Sequence, residues 1–213
     1  MKTDDWIALL AAGEAPVHRH ASLRRLLWAT LAGAVGAVLM TATLFGMRAD
    51  LVLVAHTPLF WAKLALPASL AVLALGLTQR LARPGVKGGV WWGLPGGPLL
   101  LVWLGAAASL LSVAPEARPE LILGRTWRTC PLNISLLSIP TFIAVCWAIR
   151  GLAPTRLRQA GAAGGMLAGA TATLAYCLHC PEMAVPFWGL WYVLGMAVPT
   201  ALGAALGPRL LRW

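Results

Sequence analysis

Four cysteines stand out as residues able to do chemistry: Cys130, Cys146, Cys177 and Cys180. Cys146 falls in the middle of a long uncharged run and reads as ordinary packing. The other three fall near the ends of such runs. Cys177-Leu178-His179-Cys180 has CxxC spacing, and Glu182 follows two residues later. A c-type haem site is excluded, because it would place His directly after the second Cys. Two thiols, an imidazole and a carboxylate within six residues, faced by Cys130, offer S, N and O ligands. Zinc, copper or cadmium suits such donors. The candidate metal-sensing set is therefore Cys130, Cys177, His179, Cys180 and Glu182, holding an ion transiently, with no resident cofactor expected. A static disulfide and an exchangeable thiol site remain open alternatives, since Cys130 and Cys180 can come within reach on an oxidising face.

A second concentration lies at the N-terminus. Thr3 can cap a helix, and Asp4 and Asp5 favour its positive end. Trp6, Leu9 and Leu10 then share one face, with Ile7 beside them. Gly13 and Pro16 end the helix. A helix of about three turns is marginal alone in water and needs a surface to lie on. Interfacial anchors carry Lys or Arg on the polar face, whereas this one carries aspartates. The mismatch favours a protein groove, with Asp4, Asp5, Trp6, Ile7, Leu9 and Leu10 as partner-binding residues.

Both groups must be positioned by a chain that is 59% hydrophobic and 11% charged over 213 residues, with a mean hydropathy of +0.76. Soluble domains are about 25% charged. A crossing helix needs about 20 apolar residues, and six windows meet that length: near 26–46, 58–79, 92–112, 132–149, 161–179 and 186–206. The expected fold is an all-α polytopic bundle of six transmembrane helices with a short cytoplasmic amphipathic helix before it. The expected division is residues 1–24 as the partner-binding segment, 25–208 as the membrane domain and 209–213 as a short tail. A barrel is excluded by the lack of two-residue alternation. Small residues, as in Gly33-x-x-Gly36 and from Gly161 to Gly169, read as close helix packing.

The net charge of +10 is a topology signal. Twelve basic residues fall in one alternate set of segments: Lys2, Arg19, Arg24 and Arg25, then Arg80, Arg83 and Lys87, then Arg150, Arg156 and Arg158, then Arg209 and Arg212. The other set holds Arg48, Lys63, Arg118, Arg125 and Arg128. The excess places both termini in the cytoplasm and the loops 47–57, 113–131 and 180–185 outside. It removes the need for nucleic acid as a direct partner, and the lipid bilayer takes that place. Asp4, Asp5 and Glu14 within a segment lacking an apolar core argue against a cleavable signal peptide. Lys63, about a turn inside its span, is expected to snorkel to the interface. His56 is expected to be solvated. Trp61, Trp91, Trp92, Trp127, Trp188 and Trp191 read as an aromatic belt. The expected spans contain no Asp or Glu, which argues against a proton-coupled carrier. No nucleotide-binding loop or HExxH motif is present.

These parts resemble the NrsF-like proteins, six-span membrane anti-sigma factors that restrain extracytoplasmic-function (ECF) sigma factors. The resemblance is carried by the opening Met1-Lys2-Thr3-Asp4-Asp5, by Cys130-Pro131-Leu132-Asn133-Ile134 running to Ser138-Ile139-Pro140, and by the tail. The tail matches from His179-Cys180-Pro181-Glu182 through Phe187, Trp191-Tyr192, Gly195-Met196 and Gly203 to Leu210-Leu211-Arg212-Trp213. It implies a non-enzymatic regulator of the bacterial inner membrane whose cytoplasmic N-terminus holds an ECF sigma factor. It also implies that Cys130 and Cys180 sense heavy-metal or oxidative stress; Cys177 is an extra thiol, which leaves a 177–180 pair open. Two other readings stand beside it: a quinone-linked thiol-disulfide oxidoreductase using Cys177-x-x-Cys180, and a small metal transporter.

Overall fold

The computed structural model describes residues 2–12 and 20–212. All the regular elements among them are helical, as the all-α expectation requires. The expected helix stops Gly13 and Pro16, and also Arg19 and Trp213, lie outside the described residues.

The first helix, α1, covers Thr3–Ala11. Thr3 is its first helical residue and not its cap, a correction to the expected start. The Asp5 carboxylate reaches back to accept from the Lys2 backbone N–H at 3.0 Å, which satisfies one of the donors a helix start leaves open. α2 runs Ala21–Met40 and widens into a π turn over Thr41–Phe45. A short α3 (Leu51–Ala55) precedes α4 (Pro58–Leu81). A single turn at Gly89–Trp92 leads into α5 (Gly96–Leu111), and α6 covers Arg118–Leu123. α7 (Cys130–Leu137) and α8 (Ile139–Arg150) follow, then α9 (Leu157–Tyr176) and α10 (Val185–Leu210).

Among the described residues, four helices are long and apolar enough to cross a bilayer: Ala21–Phe45, Pro58–Leu81, Gly89–Leu111 and Val185–Leu210. α7 and α8 make a fifth if their 41° bend is a break within one span. Pro140, at the start of α8, lacks the N–H that would continue α7 through Ser138. The expected fifth span, α9, has 20 residues but is built largely of glycine, alanine and threonine and carries Arg158 and Gln159 in its first turn. Its position explains that composition. α2, α4, α7, α8 and α10 all pack on α9, and it is buried almost throughout from Ala160 to Tyr176. A helix ringed by helices gains from small side chains that let backbones approach, and needs few large apolar ones.

The crossing of α9 and α10 is close enough to demand glycine. A Cβ on Gly161 would run into the Gly203 carbonyl, one on Gly165 into the Pro199 carbonyl, and one on Gly207 into the Leu157 carbonyl. Gly33 and Gly36 likewise seat α2 on Thr141 and Pro140, so both small-residue stretches pack as expected. The core divides in two along the bundle. One cluster gathers Leu26, Leu81, Val145 and Ile149, with Cys146 at its edge. The other gathers Cys130, Ile134, Tyr176, Cys177, Cys180 and Tyr192.

The loops sort to the two ends in the alternate order expected. At one end the Arg48 N–H donates to the Leu178 carbonyl at 3.1 Å. There the Arg125 N–H also donates to Glu182 Oε1 at 2.7 Å, and Trp191 Nε1 to the Ile122 carbonyl at 2.8 Å. At the other end the Gly85 N–H donates to Thr155 Oγ1 at 3.0 Å, and the Arg25 guanidinium stacks 4.9 Å from the Trp147 ring. The tryptophans do not form one outward belt. Trp61 is exposed, but Trp188 is buried against the core, and Trp127 stacks on Trp191 at 5.3 Å. The first turns of α10 pack on α5, α6 and α7, which turns these rings inward.

Candidate functional site

The thiol end is assembled where α9 stops. Its last intrahelical bonds reach Cys177 and Cys180, whose N–H groups donate to the carbonyls of Thr173 and Tyr176 at 2.9 Å each. Pro181 then ends the run, leaving the Cys180 carbonyl free to accept from elsewhere. Cys130 opens α7 beside it, with Pro131 at the tolerated first-turn position. Cys130, Cys177 and Cys180 are all fully buried and all carry free thiols. They share one apolar cluster with the only two tyrosines of the chain, Tyr176 and Tyr192. The tyrosine rings meet edge to face at 6.0 Å. Cys177 Sγ lies 4.0 Å from the Tyr192 hydroxyl. Tyr176 is near enough to interact with Cys130 and Asn133, and Tyr192 with Cys177 and Cys180.

The structure brings the three thiols together and sends the other two expected ligands elsewhere. His179 Nδ1 lies 2.8 Å from the Gly46 carbonyl, with its ring between Phe45 at 5.5 Å and Tyr176 at 5.7 Å. Because a carbonyl only accepts, Nδ1 is the protonated nitrogen. The Glu182 carboxylate accepts from the Arg125 N–H. Gly124 makes room for it: a Cβ there would sit 2.8 Å from the carboxyl carbon, and the glycine has φ +53°. Among the described residues no three of His, Cys, Asp and Glu are grouped to hold an ion. Cys146 is on the other core cluster, as its packing reading has it. His56 is exposed.

Two basic residues outside the expected ligand set, Lys63 and Arg48, complete the site. Lys63 does not snorkel, which corrects the expectation. Its side chain is fully buried, and Nζ donates to the carbonyls of Cys180 and Glu182 at 2.8 Å each. It also lies 5.6 Å from the Tyr192 ring centroid. Arg48 Nη1 donates to the same Cys180 carbonyl at 3.3 Å. Its Nε and Nη2 pair with Asp50 at 2.7 and 2.8 Å. That ion pair holds the Asp50 carboxyl below the usual aspartate range and raises Arg48, the shared hydrogen bond being the main cause.

The N-terminal group is the reverse of this. Trp6, Ile7, Leu9 and Leu10 are 52%, 60%, 63% and 71% exposed, and Asp4 and Asp5 are exposed beside them. Four large apolar side chains in ten residues are left uncovered.

The class that the fold and site define is an apolar helical bundle with free thiols packed at one end and an uncovered amphipathic helix before its first long helix. The chain belongs to the NrsF family, described as negative regulator of sigma F, whose profile matches residues 10–213. The resemblance seen in the sequence is thereby borne out. A protein of Azospira oryzae named probable anti-sigma-F factor NrsF is 45% identical over the full length of both chains. The anti-sigma-F factor NrsF of Caulobacter vibrioides is 35% identical, also over the full length of both. No solved structure matches the chain.

Proposed function

We propose that this protein is an anti-sigma factor of the bacterial inner membrane that holds an ECF sigma factor through α1 and releases it when the thiols at the far end are altered. The observation that carries this reading is that the thiol end meets the C-terminal end of α2, whereas α1 precedes the N-terminal end of that helix in the chain. His179 and Gly46 meet at the C-terminal end of that helix. The 25 residues Ala21–Phe45 span about 37 Å at 1.5 Å per residue, enough to separate the groups across a bilayer. The names of the two relatives support the sigma factor as the partner.

In this reading the bundle crosses the membrane six times, with α9 as the shielded fifth pass. The basic end faces the cytoplasm. Trp6, Leu9 and Leu10 enter an apolar groove on the sigma factor, and Asp4 and Asp5 meet basic residues beside it, which adds specificity and on-rate more than affinity. On the other face a soft metal ion draws Cys130, Cys180 and Cys177 together as thiolate ligands, a grouping that the described residues do not hold at rest. Alternatively an oxidant takes two electrons and the two thiol protons as a disulfide forms between two of them. His179 and Glu182 serve the site by fixing the turn that carries Cys180. The thiol-disulfide oxidoreductase reading is less favoured, because both sulfurs of Cys177-x-x-Cys180 are buried and turnover needs a thiolate open to a partner in every cycle, whereas a sensor responds to a single displacement of its turn.

Co-purification of the sigma factor with the full-length protein from membranes tests this. Leu9→Asp should abolish it and Trp6→Ala should weaken it severely. Retention by both variants would overturn the docking reading.

A further inference from the structure

Lys63 is the feature that neither the family description nor the thiol chemistry accounts for. It is a cation with no exposed surface. Among the described residues the only ion pair is Arg48–Asp50, so Lys63 has no carboxylate. Its donors go instead to two backbone carbonyls of one turn, at Cys180 and Glu182. Those carbonyls are available because α9 has ended and Pro181 interrupts the chain between them. Cys180 O also accepts from Arg48, which comes from the segment after α2. The turn bearing Cys180 is thus tied to α4 by one cation and to the end of α2 by another.

We propose that Lys63 is a positioning residue that latches this turn, keeping Cys180 buried at rest and coupling its displacement to α4 and α2. The proposal rests on the sensor reading above. Its physical basis is that a buried ammonium is tolerated only while it is well solvated by the protein: two of its three donors meet carbonyls, and the Tyr192 ring lies 5.6 Å away. The latch is either closed, with both carbonyls engaged, or open, with the turn lifted and Lys63 rehydrated. An intermediate position leaves donors unpaired in a low-dielectric core, so the turn behaves as a two-position element. A bond formed at Cys180 Sγ acts on the same residue whose carbonyl Lys63 and Arg48 hold. The sulfur and the latch are therefore one mechanical unit. With Arg48, the route runs from Cys180 to α2, and along α2 toward α1.

The test uses the full-length protein in native membranes. A small water-soluble methanethiosulfonate reagent is applied, and modification of Cys180 is followed by mass spectrometry of its peptide. Lys63→Met keeps the side-chain length and removes the donors. It should speed modification at least tenfold, while Lys63→Arg, which keeps donors, should stay within about threefold of the unmodified protein. An unchanged rate in Lys63→Met would overturn the latch, because a residue that only fills space is replaced well by methionine. If Lys63→Met does not accumulate, Arg48→Gln, which removes the second donor to the same carbonyl, decides the matter: a rise of threefold or more supports the latch and no rise overturns it. The readout does not involve the sigma factor. Faster labelling in a protein whose sigma retention ignores Leu9→Asp would keep the latch and discard the docking reading.

Discussion

The two ends of α2 differ in what their side chains have already spent on folding. At the C-terminal end, three thiols, two tyrosines and a lysine are all buried, and the backbone turn they share is held by cations and a carboxylate. At the N-terminal end, α1 leaves its four large apolar residues more than half exposed. Change at the first end must disturb packing, so it can be felt by the helices around it. Change at the second disturbs only what docks there. For the proposed function this contrast is what transmission requires: a sensor in the core must resist until chemistry forces it, and an effector outside the core must let go without unfolding anything.

That contrast gives an order of effects. The largest comes from the scaffold that keeps the two ends apart. Gly161→Leu places side-chain atoms where the Gly203 carbonyl lies. Overpacking commonly costs about 1–3 kcal/mol and more where backbone must move. Folded protein recovered in detergent should fall sharply, with a lower melting temperature; recovery equal to the unmodified protein would mean that α9 and α10 do not cross as described. Next come the α1 substitutions. A central interface anchor is worth about 2 kcal/mol or more, or roughly thirtyfold in affinity. Leu9→Asp should therefore release the sigma factor while leaving the melting temperature unchanged, since the side chain touches no core. A parallel loss of bundle stability would erase the contrast between the ends.

The cysteines should behave oppositely. Cys130→Ser with Cys180→Ser puts two hydroxyls into an apolar cluster, at a cost of about 1–3 kcal/mol each if unpaired. Melting temperature should drop, sigma should stay bound, and a reporter of sigma activity should no longer answer cadmium or oxidant. An undiminished answer would remove Cys130 and Cys180 from sensing. The smallest effect is at Asp50. Its folded carboxyl titrates below the ordinary value near 3.8, so the pair with Arg48 contributes stability above the unfolded value. That contribution is lost as pH falls through the lower folded one. Asp50→Asn should flatten this acid-side portion of the stability curve and do nothing near neutrality, and melting curves between about pH 2 and 5 would show whether it does.

Much of this arrangement is written in the order of residues. Uncharged runs mark the long helices because crossing lengths of apolar chain have few other uses. The spacing of Trp6, Leu9 and Leu10 marks an uncovered face, and Cys130 and Cys180 next to prolines mark helix ends. What the sequence hides is burial by neighbours. α9 reads as weakly apolar because small residues serve a helix ringed by others, and hydropathy scores only the side chain's own preference. Lys63 reads as a snorkelling residue because the nearest polar medium in sequence is the interface. Its real partners are carbonyls more than a hundred positions away, freed by the end of α9. Trp188 and Trp191 look like belt residues until α5, α6 and α7 cover them. The tyrosines offered the one missed clue: a chain with two of them places both beside the thiols.

The decisive measurement is the sidedness of the two ends. Native thiols are too buried for a clean answer, so exposed positions should be used: Leu10→Cys on α1, 71% exposed, and Val52→Cys on α3, 77% exposed. Intact cells with a permeable outer envelope are treated with a maleimide that cannot cross the inner membrane. The account predicts labelling at position 52 in intact cells and at position 10 only after the membrane is opened. Equal labelling of both from one side would contradict it, since thiols and sigma-binding helix would then share a compartment.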